Sequence, residues 1–449
     1  MAAFKSFLDA RGWEEAFAVY GDRRIIAIFF MGFSSGLPLA LSGATLAVWM
    51  AESNISLTTI GFFALVGIAY NLKFLWAPLM DRGRIPWLTR RLGRRRSWAL
   101  ATQIALMATL VGLGYSDPTI NLEKTALLAM LVAFFSASQD IVIDAFRIDL
   151  LADHEQWAGS TSTQLGYRIG MLASGAGALY AAAYGGWPFA YMAMAACVCV
   201  GMAAVLLTRE PEDNERGEQK GTATSFSGQL QKAVVEPFTD FMHRHGERMG
   251  GSFRCGKWVI VNREWMVILV FILFYKYGDA FAGVMAYPFY EDMGFTKIEV
   301  AKVSKFFGVA ASMVGVAVGG AMVYRLGMFR SLLLCVPPMA LSNLMYAYQA
   351  TVGHDVGLLY ATIGLENITG GMGSAAFVTY LSSLCSRAFS ATQYALLTAV
   401  MALGQTLLVA GGGYLAEWLG WVSFFIVSTG AAVPGLLLLL WLMRRARPG

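Results

Sequence analysis

Apolar residues are gathered into long stretches that recur along the whole chain. A helix needs about 20 apolar residues to cross a hydrocarbon core about 30 Å thick, because each residue advances the helix by about 1.5 Å. The stretches long enough are 25–50, 58–79, 97–115, 125–146, 162–184, 188–207, 264–290, 299–323, 331–351, 357–382, 391–416 and 421–443. Numbered in this order as spans 1 to 12, they predict an all-α membrane protein with twelve transmembrane helices.

Basic residues follow alternate spans, which predicts the orientation of the chain. Arginine and lysine cluster after spans 2 and 6, recur after spans 8, 10 and 12, and are scarce in the other loops. Cytoplasmic loops of membrane proteins are enriched in these residues. The pattern therefore predicts an even number of spans and places both termini in the cytoplasm, after a weakly amphipathic lead-in over 4–20 without a cleavable signal.

Short motifs repeat about 230 residues apart. Gly93 and Gly327 are separated by 234 residues, and Gly186 and Gly420 have the same separation. Such a period is typical of transporters built from parallel repeats. The sequence predicts a six-helix half with the lead-in over 1–207, a cytoplasmic linker over 208–263 and a second six-helix half over 264–449. One apolar helix stripe of the linker is expected at the membrane surface, and its residues are Phe226, Leu230, Val234, Phe238 and Phe241.

The composition removes most other protein classes. Of the 449 residues 57% are hydrophobic and 14% are charged, against roughly 25% charged in soluble domains. The balance of 34 Lys and Arg against 29 Asp and Glu is too even for a nucleic-acid binder. The five cysteines lack the spacing of a zinc site, so we expect free thiols and no metal. The sequence has no Walker loop, no HExxH motif and no GxSxG elbow on a strand, so we expect neither an ATP-driven pump nor an enzyme.

A few ionisable residues lie inside the spans, where a charge costs at least about 2.5–3.5 kcal/mol. Each is therefore expected to face a partner or a water-filled cavity. Spans 3, 6, 9 and 12 contain none within their apolar runs, which predicts that these helices face lipid. The residues that we consider as candidates are Lys73, Asp140, Asp144, Arg147, Arg168, Lys276, Asp279 and Glu366.

Span 4 carries Asp140 and Asp144 on one helix face, with Arg147 further along the same stripe. Two interpretations stay open. These residues form a structural charge cluster, in which Lys73 pairs with an aspartate and Arg147 with Asp144 or Asp149. Alternatively, Asp140 or Asp144 exchanges protons. Burial raises the pKa of a carboxyl group and a nearby cation lowers it, so a carboxyl group under both influences can titrate near the working pH.

Spans 7 and 10 present a similar choice. Lys276 and Asp279 are one turn apart, and in one interpretation they neutralise each other. In the other, Lys276 binds a carboxylate of the substrate, and protonation of Asp279 releases it. Glu366 and Asn367 are either a satisfied interhelical pair or a second proton site beside an amide that binds sugar hydroxyls.

Lys73, as a cation, and three further side chains are candidates for substrate contact. Gln139 adds an amide next to Asp140, and Trp49 and Tyr287 lie toward the outer ends of spans 1 and 7. The two aromatic residues are either part of the interfacial belt or stack on sugar rings. All four histidines fall in loops, so we expect no histidine proton relay.

Several long motifs carry a family resemblance that covers the whole chain. Residues 32–39 read GFSSGLPL, 73–82 read KFLWAPLMDR, 138–145 read SQDIVIDA and 278–281 read GDAF. With these motifs the chain resembles the AmpG muropeptide permeases of the major facilitator superfamily. The superfamily's gating motif is matched by Asp81-Arg82 and by Gly93 with the arginines after it, although extra residues separate the two parts and Ala77 replaces the leading glycine.

The resemblance implies a function and a set of gating residues. It implies proton-coupled import of anhydromuropeptides through the bacterial inner membrane by a cofactor-free and monomeric transporter with two six-helix halves. Alternatives are a carrier for another large anion such as acetyl-CoA or a siderophore, a membrane enzyme, and a sensor that does not transport. The expected gating residues are Asp81, Arg82, Gly93, Arg94, Arg147 and Asp149.

Overall fold

The computed structural model describes residues 18–211, 226–246, 253–255, 258–260, 264–409 and 411–445, and most of them are helical. Nearly all of the predicted lead-in lies outside the described residues. Helices α1 to α5 are Arg23–Ser42, Ala44–Glu52, Leu57–Phe63, Ile68–Leu72 and Ala77–Arg82. Helices α6 to α10 are Leu88–Leu92, Arg94–Gly114, Leu122–Leu150, Gln156–Leu172 and Ala178–Leu207. Short 3-10 helices cover Val19–Gly21, Ala64–Gly67, Lys73–Leu75 and Asp153–Glu155, and a π-helical turn covers Ala173–Gly177.

The later part of the chain begins with the linker helix α11, Phe226–Gly246, and a two-stranded antiparallel hairpin. The strands are β1, Phe253–Cys255, and β2, Trp258–Ile260, with Arg254 opposite Val259. The all-helical prediction did not include this hairpin. Helices α12 to α17 are Glu264–Phe274, Tyr277–Val284, Ala286–Asp292, Lys297–Val300, Gly308–Leu326 and Met328–Val352. Helices α18 to α22 are Val356–Leu384, Ser390–Leu407, Gly412–Leu419, Trp421–Gly430 and Val433–Arg445, and a π-helical turn covers Ala301–Phe307.

Nine helical runs in the described part of the chain are long and apolar enough to cross a membrane. One of them, Asp153–Leu207, contains both predicted spans 5 and 6 and bends at Gly186, whose φ is 75°. The helical membrane fold is therefore confirmed, whereas the number twelve stays a prediction.

Paired glycines adopt the same unusual backbone conformation. Gly93 and Gly327 precede helices α7 and α17 with φ, ψ of 89°, 171° and 80°, 162°. Gly186 and Gly420 have 75°, 173° and 73°, 161°. Residues with a Cβ rarely adopt this region, so the sequence positions are restricted to glycine. Two pairs with one separation and one conformation support the predicted internal repeat.

Glycines also set how closely some helices approach. A Cβ added to Gly166 or Gly170 on α9 would overlap the backbone of Phe29 or Phe33 on α1. Gly315 on α16 meets Ile368 on α18 in the same way. The small-xxx-small spacing of membrane helices permits such approach. The Gly166 and Gly170 pair therefore serves close packing.

The described chain divides into two compact units. The N-unit contains Ala18–Phe238 together with Ser382–Ala399, and the C-unit contains Thr239–Leu381 and the chain from Val400 onward. Residues 382–399, which the sequence assigns to the second half, thus pack with the first six-helix region. The predicted boundaries at 208 and 264 stay predictions.

The predicted linker contains α11, which includes Pro237. On its predicted apolar stripe, Phe241 is buried and Phe238 is exposed. The side chains of Phe226, Leu230 and Val234 lie outside what the structure describes.

Replacing Gly166 by alanine should destabilise the N-unit, because the added methyl group forces α1 and α9 apart. Overpacking of this kind costs about 1–3 kcal/mol. The unfolding temperature of the detergent-purified protein is the measurement. Gly61→Ala is the matched control, since a Cβ at Gly61 has no atom within 4 Å. Equal unfolding temperatures for the two variants would contradict the packing role of Gly166.

Candidate functional site: buried charge clusters of the two units

Asp81 lies buried at the end of α5 and caps the first turn of α19. Its carboxylate accepts hydrogen bonds from the backbone N–H groups of Ala391 at 3.2 Å and Thr392 at 2.8 Å. The Thr392 hydroxyl donates a further bond of 2.6 Å. The N-terminus of a helix carries partial positive charge, so an anion is stabilised there. Asp81 therefore holds the beginning of α19 within the N-unit.

Arg95, on α7, joins this carboxylate to a second one. It is almost fully buried and donates to Asp81 and to Asp149 of α8, both at 2.8 Å. It also donates to the Ser390 hydroxyl at 2.8 Å and to the carbonyl of Met80 at 3.1 Å. A buried cation is tolerated when it is paired and hydrogen-bonded, and this arginine meets both conditions.

The other arginines of the loop make more exposed contacts. Arg82 pairs with Glu236 of α11 and lies 5.8 Å from the centre of the Phe389 ring. Arg94 donates to the backbone carbonyl of Asp81. Gly93 precedes α7, whose first N–H groups donate to the Glu210 carboxylate from Arg95 at 2.6 Å and from Arg96 at 3.0 Å.

Arg147 of α8 forms a separate buried contact. It pairs with Asp144 at 3.4 Å and donates to the hydroxyls of Ser160 at 2.7 Å and Ser382 at 3.0 Å. Its guanidinium group lies 5.5 Å from the centre of the Tyr394 ring. Of the two partners that the sequence left open for Arg147, the structure selects Asp144, because Asp149 is bound to Arg95.

Five of the six predicted gating residues therefore lie around the Asp81 contact, and Arg147 makes its own contact to the stretch 382–399. Sequence reasoning did not single out Arg95, because three successive arginines follow Gly93 and only the packed helix shows which one points inward. Sequence reasoning also did not assign a role in this contact to Glu210, Ser390 or Thr392, because no local pattern shows that these residues meet the loop arginines or Asp81.

Asp140 and Lys73 lie near each other in the interior of the N-unit. The Asp140 carboxyl group interacts electrostatically with Lys73 and with Asp144. The buried oxygen Oδ1 of Asp140 has no hydrogen-bond partner within the described residues. Gln139 is fully buried and donates to the Ser34 hydroxyl of α1 at 3.2 Å. Asp140 and Gln139 thus each keep an acceptor without a partner in the described chain, while the Gln139 amide nitrogen bonds α8 to α1.

In the C-unit, Lys276 immediately precedes α13 and Asp279 lies in the first turn of α13, and both are next to α18. Lys276 donates to the Ser374 hydroxyl at 2.7 Å and to the carbonyl of Gly370 at 3.4 Å. A Cβ placed on Gly370 would lie 3.7 Å from Oδ2 of Asp279. Both side chains therefore lie beside α18 at the level of Gly370.

Glu366 lies on the same face of α18, four residues before Gly370. It accepts a hydrogen bond from the hydroxyl of Tyr346, which lies 2.9 Å from the hydroxyl of Tyr290. Both tyrosines are buried. Asn367 instead donates to the carbonyl of Ile363 on its own helix at 2.9 Å. Although adjacent in sequence, Glu366 and Asn367 therefore have different surroundings.

The two aromatic candidates differ in exposure. Trp49 is 7% exposed and stacks on Trp187, with 5.5 Å between the ring centres. Tyr287 is 49% exposed, and the ammonium group of Lys305 lies 5.3 Å from the centre of its ring. Trp49 thus packs in the interior, and Tyr287 is accessible.

The described part of the chain contains no group of three or more His, Cys, Asp or Glu side chains that could hold a metal ion. Cys197, Cys199, Cys335 and Cys385 are free thiols.

Comparison with known proteins identifies the family. The profile of the Major Facilitator Superfamily matches residues 26–364. The anhydromuropeptide permease of Escherichia coli K12 is 41% identical over 424 residues, covering 94% of this chain and 80% of that protein. A protein of Rickettsia conorii named putative transporter AmpG 4 is 34% identical, covering 94% of this chain and 97% of its own.

Solved structures agree at the level of the fold. The E. coli fucose:proton symporter FucP matches 95% of this chain and 98% of its own with a TM-score of 0.62 at 12% identity. The human organic anion transporter MFSD10 matches 93% of this chain and 99% of its own with a TM-score of 0.57 at 15% identity. The expectation of a multi-pass membrane transporter rather than an enzyme is confirmed. The chain belongs to the Major Facilitator Superfamily and, within it, to the family of the AmpG permeases.

Proposed function

We propose that this protein imports anhydromuropeptides, meaning GlcNAc-anhydroMurNAc with or without its peptide, from the periplasm into the cytoplasm. The observation that carries the proposal is the 41% identity to the E. coli anhydromuropeptide permease, which extends over 94% of this chain. The clusters described above suit such a substrate. Lys276 offers a cation for a carboxylate, and the half-exposed ring of Tyr287 offers a face on which a sugar can stack.

The orientation follows from charge. We propose that the end carrying Arg82, Arg95 and Arg387 faces the cytoplasm of a bacterial inner membrane, with both chain termini on that side. In this proposal the protein works as a monomer in the lipid bilayer and binds no nucleic acid. It needs no cofactor, because the proton gradient supplies the energy.

Proton coupling is assigned to carboxylates inside the spans. Asp140 is the favoured group of the N-unit, since its Oδ1 has no hydrogen-bond partner among the described residues, whereas Asp144 is engaged by Arg147. In the C-unit, Glu366 and Asp279 lie along one face of α18 with Lys276. Protonation of such a group removes a charge that is costly inside the membrane, so it favours the conformational change that carries the substrate inward.

Alternating access also requires a gate at the cytoplasmic end. The carboxylate of Asp81 holds the first turn of α19, and Arg95 ties it to Asp149. For the cytoplasmic end to open, α19 must leave Asp81. We propose that the free energy of these hydrogen bonds sets how readily the transporter opens inward.

Right-side-out membrane vesicles containing the protein should accumulate labelled GlcNAc-anhydroMurNAc-peptide, and an uncoupler should abolish the accumulation. Radiolabel retained on filters is the measurement, with vesicles lacking the protein as the control. If accumulation survives the uncoupler, proton coupling is wrong. If acetyl-CoA or a siderophore competes better than unlabelled muropeptide, the substrate assignment is wrong and the alternative substrate class applies.

Asp140→Asn and Glu366→Gln should each abolish accumulation driven by an imposed pH gradient, because the neutral side chain no longer gains and loses a proton. Exchange of internal for external substrate should continue, since binding and the conformational change remain. Asp117→Asn is the control, as Asp117 lies in a loop where the Thr119 hydroxyl holds the pKa of its carboxyl below the usual value. Normal gradient-driven accumulation in both variants would refute the assignment of the coupling groups.

Asp81→Asn should lower the free energy of unfolding by about 3 kcal/mol, because Arg95 loses one of its two carboxylates while it stays buried. The readout is the unfolding temperature in detergent. Asp153→Asn, whose side chain is fully exposed, should leave that temperature unchanged. A wild-type unfolding temperature for Asp81→Asn would exclude a stabilising role for the contact.

A further inference from the structure

A cavity of about 920 Å³ opens beside the Arg95 contact, and all the residues that line it belong to the N-unit. Its wall combines the start of α1, the end of α8 with the chain that follows it, the end of α10 with residues 208–211, and Arg387. Four arginines and two acidic residues are in this wall. They are Arg23, Arg24, Arg209, Arg387, Asp149 and Glu210.

Both acidic residues of the wall are already engaged. Asp149 accepts from Arg95 at 2.8 Å. Glu210 accepts from the first backbone N–H groups of α7, at 2.6 and 3.0 Å. Both carboxylates therefore have donors on α7, and the wall has four arginines against these two acidic side chains.

The arginines differ in how far they are neutralised. Arg24 is held by Asp22 and Glu155, each at 2.7 Å. Arg387 donates to the carbonyl of Leu151 at 3.1 Å and reaches the exposed carboxylate of Asp153 at 3.4 Å.

Arg23 and Arg209 are exposed. Neither forms an ion pair or hydrogen bond through its side chain to another residue of the described chain. These two guanidinium groups are available to a ligand, and Arg387 has spare donors.

The surroundings place this cavity at the edge of the membrane. Leu206 and Leu207, at the end of α10, are 48% and 87% exposed, and Arg209 follows two residues later. Exposed leucines beside an exposed arginine match the boundary between acyl chains and phosphate headgroups, and basic pockets at this depth attract acidic phospholipids.

We propose that this cavity binds a phosphate-bearing anion through Arg23, Arg209 and Arg387. Guanidinium groups match phosphate because two parallel N–H donors meet two phosphate oxygens. The phosphate comes either from the headgroup of an acidic phospholipid or from a soluble anion. Arg387 lies in the stretch 382–399 that Asp81 and Arg147 also hold, so a bound phosphate adds one more link between this stretch and the rest of the N-unit.

The test measures the thermal unfolding of the full-length protein in neutral detergent at constant ionic strength. One arm adds cardiolipin, one adds phosphatidylethanolamine as the lipid without net charge, and one adds sodium pyrophosphate. We expect cardiolipin to raise the unfolding temperature by about 2–4 °C through preferential binding to the folded state, and phosphatidylethanolamine to leave it unchanged.

The double variant Arg23→Gln with Arg209→Gln should require about tenfold more cardiolipin for half of the effect. Both side chains are exposed, so the variant should fold. Arg90→Gln, an exposed arginine of the same unit outside the cavity, is the matched control. Competition by pyrophosphate would assign the site to soluble phosphates as well, whereas no effect of pyrophosphate would assign it to lipid.

Two results would overturn the proposal. In one, neither cardiolipin nor pyrophosphate stabilises the wild-type protein. In the other, either probe stabilises the double variant at the same concentration as the wild type.

Discussion

The cost of placing a charge away from water is the constraint on which this structure depends. Hydrocarbon offers no hydrogen bonds, so each ionisable group inside the molecule needs a partner of its own. Arg95 shows how far this goes, because it takes two carboxylates, a hydroxyl and a backbone carbonyl. Asp81 satisfies its remaining capacity at the first turn of α19. Paired charges and a helix end thus hold together residues that are distant in the sequence. In the proposed transport cycle, these hydrogen bonds stabilise the closed cytoplasmic end and must break before that end opens.

Glycine provides the frame in which these charges meet. The close approach of α1 and α9 depends on Gly166 and Gly170, and the approach of α16 and α18 on Gly315. Because the backbones pack directly, the helices have little freedom to shift, and side chains on neighbouring turns are fixed in position. Gly370 is different, since a Cβ there would make only an ordinary contact of 3.7 Å with Oδ2 of Asp279 in the C-unit. Close backbone packing is therefore restricted to particular glycines.

The charged groups separate into two kinds according to whether an opposite charge contacts them. Arg95 contacts Asp81 and Asp149 at 2.8 Å and Arg147 contacts Asp144 at 3.4 Å, which suits a structural latch, meaning a contact that holds helices together. Asp140 keeps a buried oxygen without a partner in the described chain, and Glu366 is bound by a tyrosine hydroxyl that does not neutralise its charge. Groups left incompletely compensated are the ones whose protonation state responds to their surroundings. This difference underlies the assignment of latch and coupling roles in the proposed transport cycle.

The sequence by itself determined the membrane class, the helical fold, the repeat marked by paired glycines and the family, because hydropathy, backbone conformation and long motifs are local properties of the chain. It also identified which span residues carry charge, since any charge in an apolar run stands out. Only the tertiary structure decided which partner each charge takes. It selected Arg95 rather than Arg94 as the buried arginine, Asp144 rather than Asp149 as the partner of Arg147, and an interior position for Gln139 and Trp49. These choices depend on the rotation of each helix and on neighbours hundreds of residues away, such as Thr392 for Asp81, which no local pattern encodes.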